Sequence, residues 1–214
     1  MLELGVKALI AYLAGSLLGS LLLGRLKGVD IRRLGSGNAG ATNAMRTQGI
    51  LFGLGVFAFD LLKGVLVVRA LPPLALPGIG IDPELGREWL TLACALAVIV
   101  GHIFPVWFGF RGGKGVATLI GAVGAINPVL LGPMLGCWIG VVLLTGYVGL
   151  ASILSGLALV LFVMLTRAAD APLLAFCALA ELLMLYTHRG NIARMFSGSE
   201  HRARRLWLFR SRAA

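Results

Sequence analysis

Long apolar runs separated by short polar segments dominate the sequence. The runs cover roughly residues 4–24, 50–71, 89–108 and 172–187, with a longer stretch over 116–166. A helix needs about 20 apolar residues to cross about 30 Å of hydrocarbon, so each of the four shorter runs fits one crossing. The long stretch holds 51 residues, enough for three short crossings, with a break at Asn127-Pro128 and a weaker one between Thr145 and Gly149. The pattern predicts an all-α, polytopic integral membrane protein with seven transmembrane helices, or five if 116–166 contains re-entrant pieces.

Composition agrees with this pattern. Hydrophobic residues make up 58% of the chain, charged residues only 13%, and the mean hydropathy is +0.93, which excludes an ordinary soluble domain. We expect one membrane-embedded domain over residues 1–214. Because Glu3 and Lys7 make a poor start for a signal peptide, we expect the first run to be a retained span. The isolated cysteines Cys94, Cys137 and Cys177 suggest neither a disulfide framework nor a zinc site.

The cations predict the topology. Seven crossings put the two ends of the chain on opposite sides, and fourteen cations fall on one side against four on the other, Lys7, Arg69, Arg87 and Arg167. Lys and Arg concentrate in cytoplasmic loops, so we expect a periplasmic N-terminus and a cytoplasmic C-terminus in a bacterial inner membrane. The net charge of +10 is then a topology signal and requires no nucleic-acid partner. The basic tail after Arg202 is interpreted as a stop-transfer and anionic-lipid contact.

Thirty glycines are present, and those inside the spans are expected to let helices pack closely. The spacings Gly15-x-x-x-Gly19 and Gly132-x-x-x-Gly136 are typical of such contacts.

The first polar motif is Gly35-Ser-Gly-Asn-Ala-Gly-Ala-Thr-Asn43, with Arg32 and Arg33 before it and Arg46 after it. Glycines let successive backbone N–H groups turn toward one point and form a concave anion site. Hydroxyl and amide side chains add donors, and arginines bind phosphate with two parallel hydrogen bonds. A plain loop is the alternative, but the density of the motif favours an anion site at Ser36, Asn38, Gly40, Thr42, Asn43 and Arg46.

The second motif spans Gly101-His102-Ile-Phe-Pro105 and Phe110-Arg-Gly-Gly-Lys-Gly-Val-Ala-Thr118. Glycines beside two cations, opening into a helix, suit a phosphate at a helix N-terminus. The candidates here are His102, Arg111, Gly112, Gly113, Lys114 and Gly115. The spacing does not match a Walker A loop, which argues against nucleotide hydrolysis. A structural role for His102 is at least as plausible as a catalytic one.

The third constellation lies late in the chain. Ser152 and Ser155 follow Tyr147, where each hydroxyl could instead bond a carbonyl of its own helix. His188-Arg-Gly-Asn191 follows the last apolar run, and a spacing of three places His188 and Asn191 on one helical face. The topology puts all three constellations on the cytoplasmic face.

Three charges fall inside the spans. Asp60 and Lys63 are three residues apart and can neutralise each other. Glu181 has no local partner and is a weak candidate, seven residues before His188.

Together these strings resemble the signatures of the acyl-phosphate-dependent glycerol-3-phosphate acyltransferases of the PlsY type. The resemblance covers nearly the whole chain, including the FDLLKG segment at 59–64 and the order of the three motifs. One departure is Gly149, where members often carry serine. The resemblance implies transfer of a fatty acyl group from acyl phosphate to the sn-1 hydroxyl of glycerol 3-phosphate, which gives lysophosphatidate for phospholipid synthesis.

The roles that follow from this resemblance involve no acyl-enzyme. Arg46, Arg111, Lys114, His188 and Asn191 would hold phosphates, Ser36, Asn38 and Thr42 would donate hydrogen bonds, and Ser152 would steady the acyl phosphate. Either His188 or a substrate phosphate oxygen would take the proton. We predict no metal, no cofactor and no obligate protein partner beside the two substrates and membrane lipids. The alternatives are a transporter for a phosphorylated metabolite and an acyltransferase that uses acyl-CoA or acyl carrier protein.

Overall fold

The structure is a computed structural model that describes residues 1–204 and 206–209, and this part of the chain contains helices and no strands. The α-helices are α1 (Leu2–Gly15), α2 (Gly19–Leu26), α3 (Ala41–Gln48), α4 (Ile50–Ala70), α5 (Arg87–Ile103), α6 (Val116–Ile126), α7 (Leu131–Thr145), α8 (Val148–Thr166), α9 (Ala171–Thr187) and α10 (Arg189–Phe196). Short 3-10 helices lie at Ile31–Arg33, Val106–Phe108 and Pro128–Leu130. The all-helical prediction is confirmed.

Both predicted breaks in the long apolar stretch are confirmed. The helix α6 ends before Asn127, whose extended backbone suits a residue that precedes proline. The helix α7 ends at Gly146, which adopts the left-handed conformation with φ 76° and so terminates the helix as glycine commonly does.

The helices support fewer crossings than the seven that the hydropathy runs predict. Within residues 1–204 and 206–209, four helical segments are long and apolar enough to cross a membrane, and the count rises to six if the bent pairs α1–α2 (43°) and α9–α10 (52°) each form one span. The helix α6 has 11 residues and is about 17 Å long at 1.5 Å per residue, short of a bilayer core. Seven crossings and the opposite placement of the two ends therefore stay predictions.

The chain divides into two compact units, Met1–Asn127 and Pro128–Ala214. In the first unit α4 packs on α6 and also contacts α2, α3 and α5, while α1 packs on α5. In the second unit α8 packs on both α7 and α9, and α10 contacts α8 and α9. Whether 1–214 acts as one domain stays a prediction.

Glycines bring α1 and α5 of the first unit into close contact. A methyl group on Gly15 would collide with the carbonyl of Val98, and one on Gly101 with the carbonyl of Tyr12, so α1 and α5 touch through backbone. The prediction for Gly132 and Gly136 is wrong, because no described atom lies within 4 Å of a Cβ placed on either residue.

A buried ionic cluster fixes the start of α1. Lys7 Nζ donates to Glu3 Oε1 at 2.8 Å and to the Pro72 carbonyl at 2.7 Å. Arg87 donates to both oxygens of the same Glu3 carboxylate, at 2.8 and 2.7 Å. These bonds tie the segment between α4 and α5 to the first helix.

The segment after α10 folds back on the end of α7. Its backbone donates to the carbonyls of Gly146 (2.8 Å) and Leu143 (3.0 Å), and Trp207 Nε1 donates to Leu144 (3.0 Å). Arg202 stacks on the rings of Tyr147 and Trp207, at 4.6 and 4.3 Å from their centroids. The tail thus donates hydrogen bonds to carbonyls at the end of α7 that have no partner within the helix. The sequence predicted only a stop-transfer and lipid contact for this tail. Arg205, Arg210 and Arg212 lie outside the described residues.

Candidate functional site

The loop between α2 and α3, residues 27–40, carries the first polar motif and is organised by Asn43. The Oδ1 atom of Asn43 accepts from the Ser36 backbone N–H at 3.0 Å. Its Nδ2 atom donates to three carbonyls, those of Ile31 (3.2 Å), Leu34 (2.9 Å) and Asn38 (3.0 Å). Asn43 is only 2% exposed. Its amide is therefore engaged by the loop backbone, and these contacts favour a loop-organising role over the predicted phosphate contact.

Two further contacts anchor this loop. The buried Ser20 hydroxyl of α2 donates to the Ala39 carbonyl at 2.6 Å. Asp30 binds the Arg32 guanidinium at 3.1 and 2.9 Å, and this hydrogen-bonded pairing holds the pKa of the Asp30 carboxyl below its usual range. Arg32 Nη1 in turn donates to the Phe108 carbonyl at 3.0 Å. The structure thereby joins the first and second motifs within one unit.

The second motif forms a compact turn after α5. The backbone N–H of Gly112 donates to Ile103 (3.1 Å) and that of Gly113 to His102 (3.2 Å), while Phe110 donates to Pro105 (2.9 Å). Phe110 has φ 60°, the one positive φ at a non-glycine residue in the described part of the chain, which is a costly conformation for a bulky side chain. The turn ends at Gly115 with φ 85°, directly before α6.

Each loop leads directly into a helix whose N-terminus has no side-chain cap. The N-cap residue of α3 is Gly40 and that of α6 is Gly115, and neither helix start has a capping side-chain hydrogen bond. The first N–H groups of a helix carry partial positive charge and attract anions. Of the candidate residues in these two motifs, Ser36, Thr42, Arg46 and Arg111 are exposed and so accessible to a solute, with Arg46 in the last turn of α3. Asn38 and Lys114 are half-buried.

Behind the second loop lies a buried cluster that the sequence interpretation did not assemble. Lys63 Nζ lies 2.9 Å from Asp60 Oδ1, as the predicted pair requires, and also 3.0 Å from His102 Nδ1. An ammonium group only donates hydrogen bonds, so a neutral imidazole beside Lys63 accepts at Nδ1 and carries its proton on Nε2. Asp60 Oδ1 also lies 3.5 Å from Nδ1. The Nε2 atom packs against Gly113, where a methyl group would collide with it. His102 is thus structural in its contacts, although it was a candidate phosphate ligand.

In the second unit, the two serines of α8 bond their own helix. The Ser152 hydroxyl donates to the Val148 carbonyl at 3.0 Å and that of Ser155 to the Ser152 carbonyl at 2.9 Å. Both residues are buried. Backbone bonding was the alternative interpretation of these serines, and the structure supports it.

His188 lies at the bend between α9 and α10 and is 2% exposed. Its Nδ1 atom lies 2.9 Å from the Met184 carbonyl, and since a carbonyl only accepts, Nδ1 carries the proton. The lone pair of the neutral ring is then on Nε2, which is the arrangement that a general base requires.

Asn191 lies in the first turn of α10 and donates to Glu200 Oε1 at 2.6 Å. The other oxygen of Glu200 accepts from Arg194 Nε at 2.7 Å, so this carboxylate bridges the two residues. Gly149 faces Asn191 so closely that a Cβ there would lie 2.7 Å from Asn191 Nδ2. The glycine that departs from the family pattern is therefore in contact with a candidate ligand.

Glu181 of α9 is buried against Gly156 of α8. Among the described residues its Oε2 atom has no hydrogen-bond partner, and its place as a weak candidate is unchanged.

Three comparisons with known proteins bear on this chain. The family model described as glycerol-3-phosphate acyltransferase matches residues 6–198. A relative of that name from Aquifex aeolicus is 40% identical over 194 residues, which cover 91% of this chain and 96% of the relative. Another from Synechococcus elongatus is 41% identical over 196 residues and covers 91% of this chain and 92% of the relative.

Two solved structures have the same fold. Both are crystal structures of PlsY, an integral membrane glycerol 3-phosphate acyltransferase, one in its glycerol 3-phosphate form and one in its lysophosphatidic acid form. They are 38% identical to this chain, cover 93% of it and 94% of their own chains, and superpose with TM-scores of 0.81 and 0.79.

Proposed function

Because this chain belongs to the glycerol-3-phosphate acyltransferase family, we propose that it transfers a fatty acyl group from acyl phosphate to the sn-1 hydroxyl of glycerol 3-phosphate. The products are lysophosphatidate and inorganic phosphate. Within this family the protein is a multi-pass membrane acyltransferase of phospholipid synthesis.

The observation that carries this proposal is the pair of linked glycine loops. Each loop ends in an uncapped helix N-terminus, and the Arg32–Phe108 bond of 3.0 Å joins the two. An exposed arginine accompanies each, Arg46 in the last turn of α3 and Arg111 in the second loop. Acyl phosphate and glycerol 3-phosphate both bear a phosphate, so a reaction between them needs two anion sites in one protein. Backbone N–H groups, Arg46, Arg111 and Lys114 supply these sites.

The form of the neighbouring crystal structures supports the acceptor and the product. One is the glycerol 3-phosphate form of PlsY and the other its lysophosphatidic acid form. Acyl phosphate as donor rests on the resemblance of the three motifs and on the charge of the loops, which suits a small phosphate group.

The chemical step requires no covalent intermediate on the protein. The sn-1 oxygen attacks the acyl carbonyl, an oxygen–carbon bond forms, and the bond from that carbon to the phosphate oxygen breaks. Acyl phosphate is already activated, so the protein mainly aligns the substrates and stabilises developing negative charge. Ser36, Asn38 and Thr42 donate to the phosphates. Ser152 would have to exchange its bond to Val148 in order to donate to the acyl phosphate.

The proton of the sn-1 hydroxyl goes to His188 or to a substrate phosphate oxygen. With Nδ1–H bonded to the Met184 carbonyl at 2.9 Å, the lone pair of the neutral ring is on Nε2, and this tautomer supports the histidine as base. We expect His188→Ala to lower kcat by about 100-fold, within the usual range for loss of a general base. Near-normal turnover in this variant would assign the proton to the substrate phosphate.

The reaction takes place at the cytoplasmic face of a bacterial inner membrane, with the N-terminus in the periplasm. Fourteen cations on the side of the three motifs support this orientation. The acyl chain of the donor then stays in hydrocarbon while its phosphate reaches the loops.

Acyl transfer by the purified protein in detergent tests the proposal. Labelled glycerol 3-phosphate is mixed with palmitoyl phosphate, palmitoyl-CoA or palmitoyl carrier protein. Labelled lysophosphatidate is expected from palmitoyl phosphate alone. Product from a thioester would move the protein to another donor class, and no product from any donor would favour the transporter alternative.

A matched pair of lysine variants connects the activity to the site. Lys114→Ala removes a cation of the second loop and should lower kcat/KM by about 100-fold, since a charged hydrogen bond to phosphate contributes about 1.5–3 kcal/mol. Lys27→Ala removes an exposed lysine that stacks on Phe52, 5.1 Å from the ring centroid. It should leave kcat/KM within about twofold, as expected for a surface change.

A further inference from the structure

The helices α1 and α2 meet at a break with a bend of 43°, and two charges from α4 lie at this break. Lys63 Nζ donates to the carbonyls of Gly15 at 2.9 Å and Leu17 at 2.7 Å, where α1 ends. Asp60 Oδ1 accepts from the Gly19 backbone N–H at 3.2 Å, where α2 begins. A cation at a helix C-terminus and an anion at a helix N-terminus both match the helix dipoles.

The same two charges also reach His102 on α5. Lys63 Nζ lies within 3.0 Å of four acceptors, namely Asp60 Oδ1, His102 Nδ1 and the carbonyls of Gly15 and Leu17. Its three N–H groups are therefore fully used. The three side chains are 8%, 1% and 2% exposed for Lys63, Asp60 and His102. Mutual neutralisation of Asp60 and Lys63 would require neither the histidine nor the helix break, so pairing alone does not account for the arrangement.

The opposite side of His102 contacts the second glycine loop. The His102 carbonyl accepts from the Gly113 N–H at 3.2 Å, and the adjacent Ile103 carbonyl accepts from Gly112 at 3.1 Å. The imidazole edge at Nε2 packs against Gly113 without room for a methyl group. The orientation of the ring, which Lys63 fixes through Nδ1, therefore determines where the Gly112–Gly113 turn can lie.

We propose that Asp60, Lys63 and His102 are positioning residues that hold the Gly112–Gly113 turn in its phosphate-binding conformation. The inference rests on the proposed function for the phosphate role of that turn. The three residues act on the substrates only through this turn. The same hydrogen bonds also connect the turn to the break between α1 and α2.

Lys7 offers a matched control. Like Lys63 it is buried, pairs with an acid one helical turn away at 2.8 Å, and donates to a backbone carbonyl at 2.7 Å. Its described contacts are with Glu3 and Pro72 and include no residue of either glycine loop. The variants Lys63→Met and Lys7→Met each remove a buried ammonium and leave an acid without that partner, so both are expected to lower Tm.

Steady-state kinetics separate positioning from general destabilisation. We expect Lys63→Met to raise KM for at least one of glycerol 3-phosphate and palmitoyl phosphate by about tenfold, with kcat reduced by less than about threefold. Lys7→Met should leave both KM values within about twofold at a similar loss of Tm. Equal KM changes in the two variants, or none in Lys63→Met, would overturn the proposal.

The histidine provides a rescue test. In His102→Asn the side-chain oxygen can take the place of Nδ1 and accept from Lys63, whereas His102→Leu cannot accept a hydrogen bond. We expect KM in His102→Asn to lie closer to that of the wild type than KM in His102→Leu. The reverse order would contradict the role of the Lys63–His102 bond.

Hydrogen exchange gives a readout that does not depend on turnover. In Lys63→Met the peptide over residues 109–116 should exchange about tenfold faster, and in Lys7→Met it should be unchanged. Unchanged exchange in Lys63→Met would overturn the positioning role even in an active enzyme. If the wild type made no product from any donor, the proposed function would fall, while the exchange data would still decide whether the cluster orders the turn.

Discussion

Removal of the Asn43 side chain should loosen the first glycine loop without changing the rest of the first unit. Asn43→Ala deletes one acceptor and two N–H donors that together hold the backbone of Ile31, Leu34, Ser36 and Asn38 at 2.9–3.2 Å. Nδ2 has two hydrogens to share among three carbonyls, so the four contacts count as three bonds. At about 1 kcal/mol net for each hydrogen bond, they contribute about 3 kcal/mol. Water can replace part of this because much of the loop is exposed, so we expect a loss of about 2 kcal/mol.

Hydrogen exchange measures this change directly. A loss of about 2 kcal/mol raises the opening equilibrium of the loop about 30-fold. The peptide over residues 30–40 should therefore exchange about 30-fold faster in Asn43→Ala, with α4 and α5 little affected. The matched control is Gln48→Ala, which removes the other amide of the same helix α3.

Two outcomes would refute this reasoning. An increase of less than about threefold corresponds to under about 0.7 kcal/mol and would mean that the Asn43 bonds do not hold the loop. Equal acceleration in Gln48→Ala would mean that any amide loss in α3 loosens the loop. In either case Asn43 would return to the phosphate-ligand role that its position in the motif first suggested.

Three further predictions concern other parts of the molecule. Gly149→Ser introduces a Cβ within 2.9 Å of the Asn191 Cβ and should destabilise the protein by about 1–3 kcal/mol. An unchanged Tm would show that α10 can shift away from the new side chain without loss of stability. Because the pKa of Asp30 is lowered, its pairing with Arg32 stabilises the folded state fully above the ordinary pKa of 3.8, and this stabilisation is lost as the pH falls through the lower pKa of the folded state. The difference in Tm between the wild type and Asp30→Asn should therefore shrink in acid. A difference that grew in acid would contradict the pairing. Turnover should persist in excess chelator, and abolition that magnesium restores would show a metal requirement.

The helices and their breaks could be predicted because their causes are local. Proline at position 128 prevents helix continuation at Asn127, and Gly146 supplies the left-handed residue that ends α7. The break between Gly15 and Gly19 could not be predicted in the same way. The run there is uniformly apolar or small, and the groups that bind its loose ends, Asp60 and Lys63, come from a helix more than 40 residues later.

The motifs of the candidate site could be predicted, but not which of their residues face a substrate and which hold the loops. Asn43 and His102 occupy motif positions typical of phosphate ligands, yet their contacts are with the protein itself. Ser152 was ambiguous because a hydroxyl in a helix can bond either a substrate or the carbonyl one turn back. The sequence did contain a signal for the buried cluster, namely an intramembrane Asp-Lys pair and an intramembrane histidine. The contact between Lys63 and His102 could not be predicted, because the two residues are 39 positions apart in the sequence.

The measurement that tests the central claim most directly is the yield of both products in one reaction. Purified protein receives palmitoyl phosphate and glycerol 3-phosphate, and lysophosphatidate and inorganic phosphate are quantified together, with the acyl position determined on the lipid. The account predicts equal amounts of the two products and acylation at sn-1. Release of phosphate without lysophosphatidate would make the protein a phosphatase, and acylation at sn-2 would contradict the proposed alignment of the acceptor.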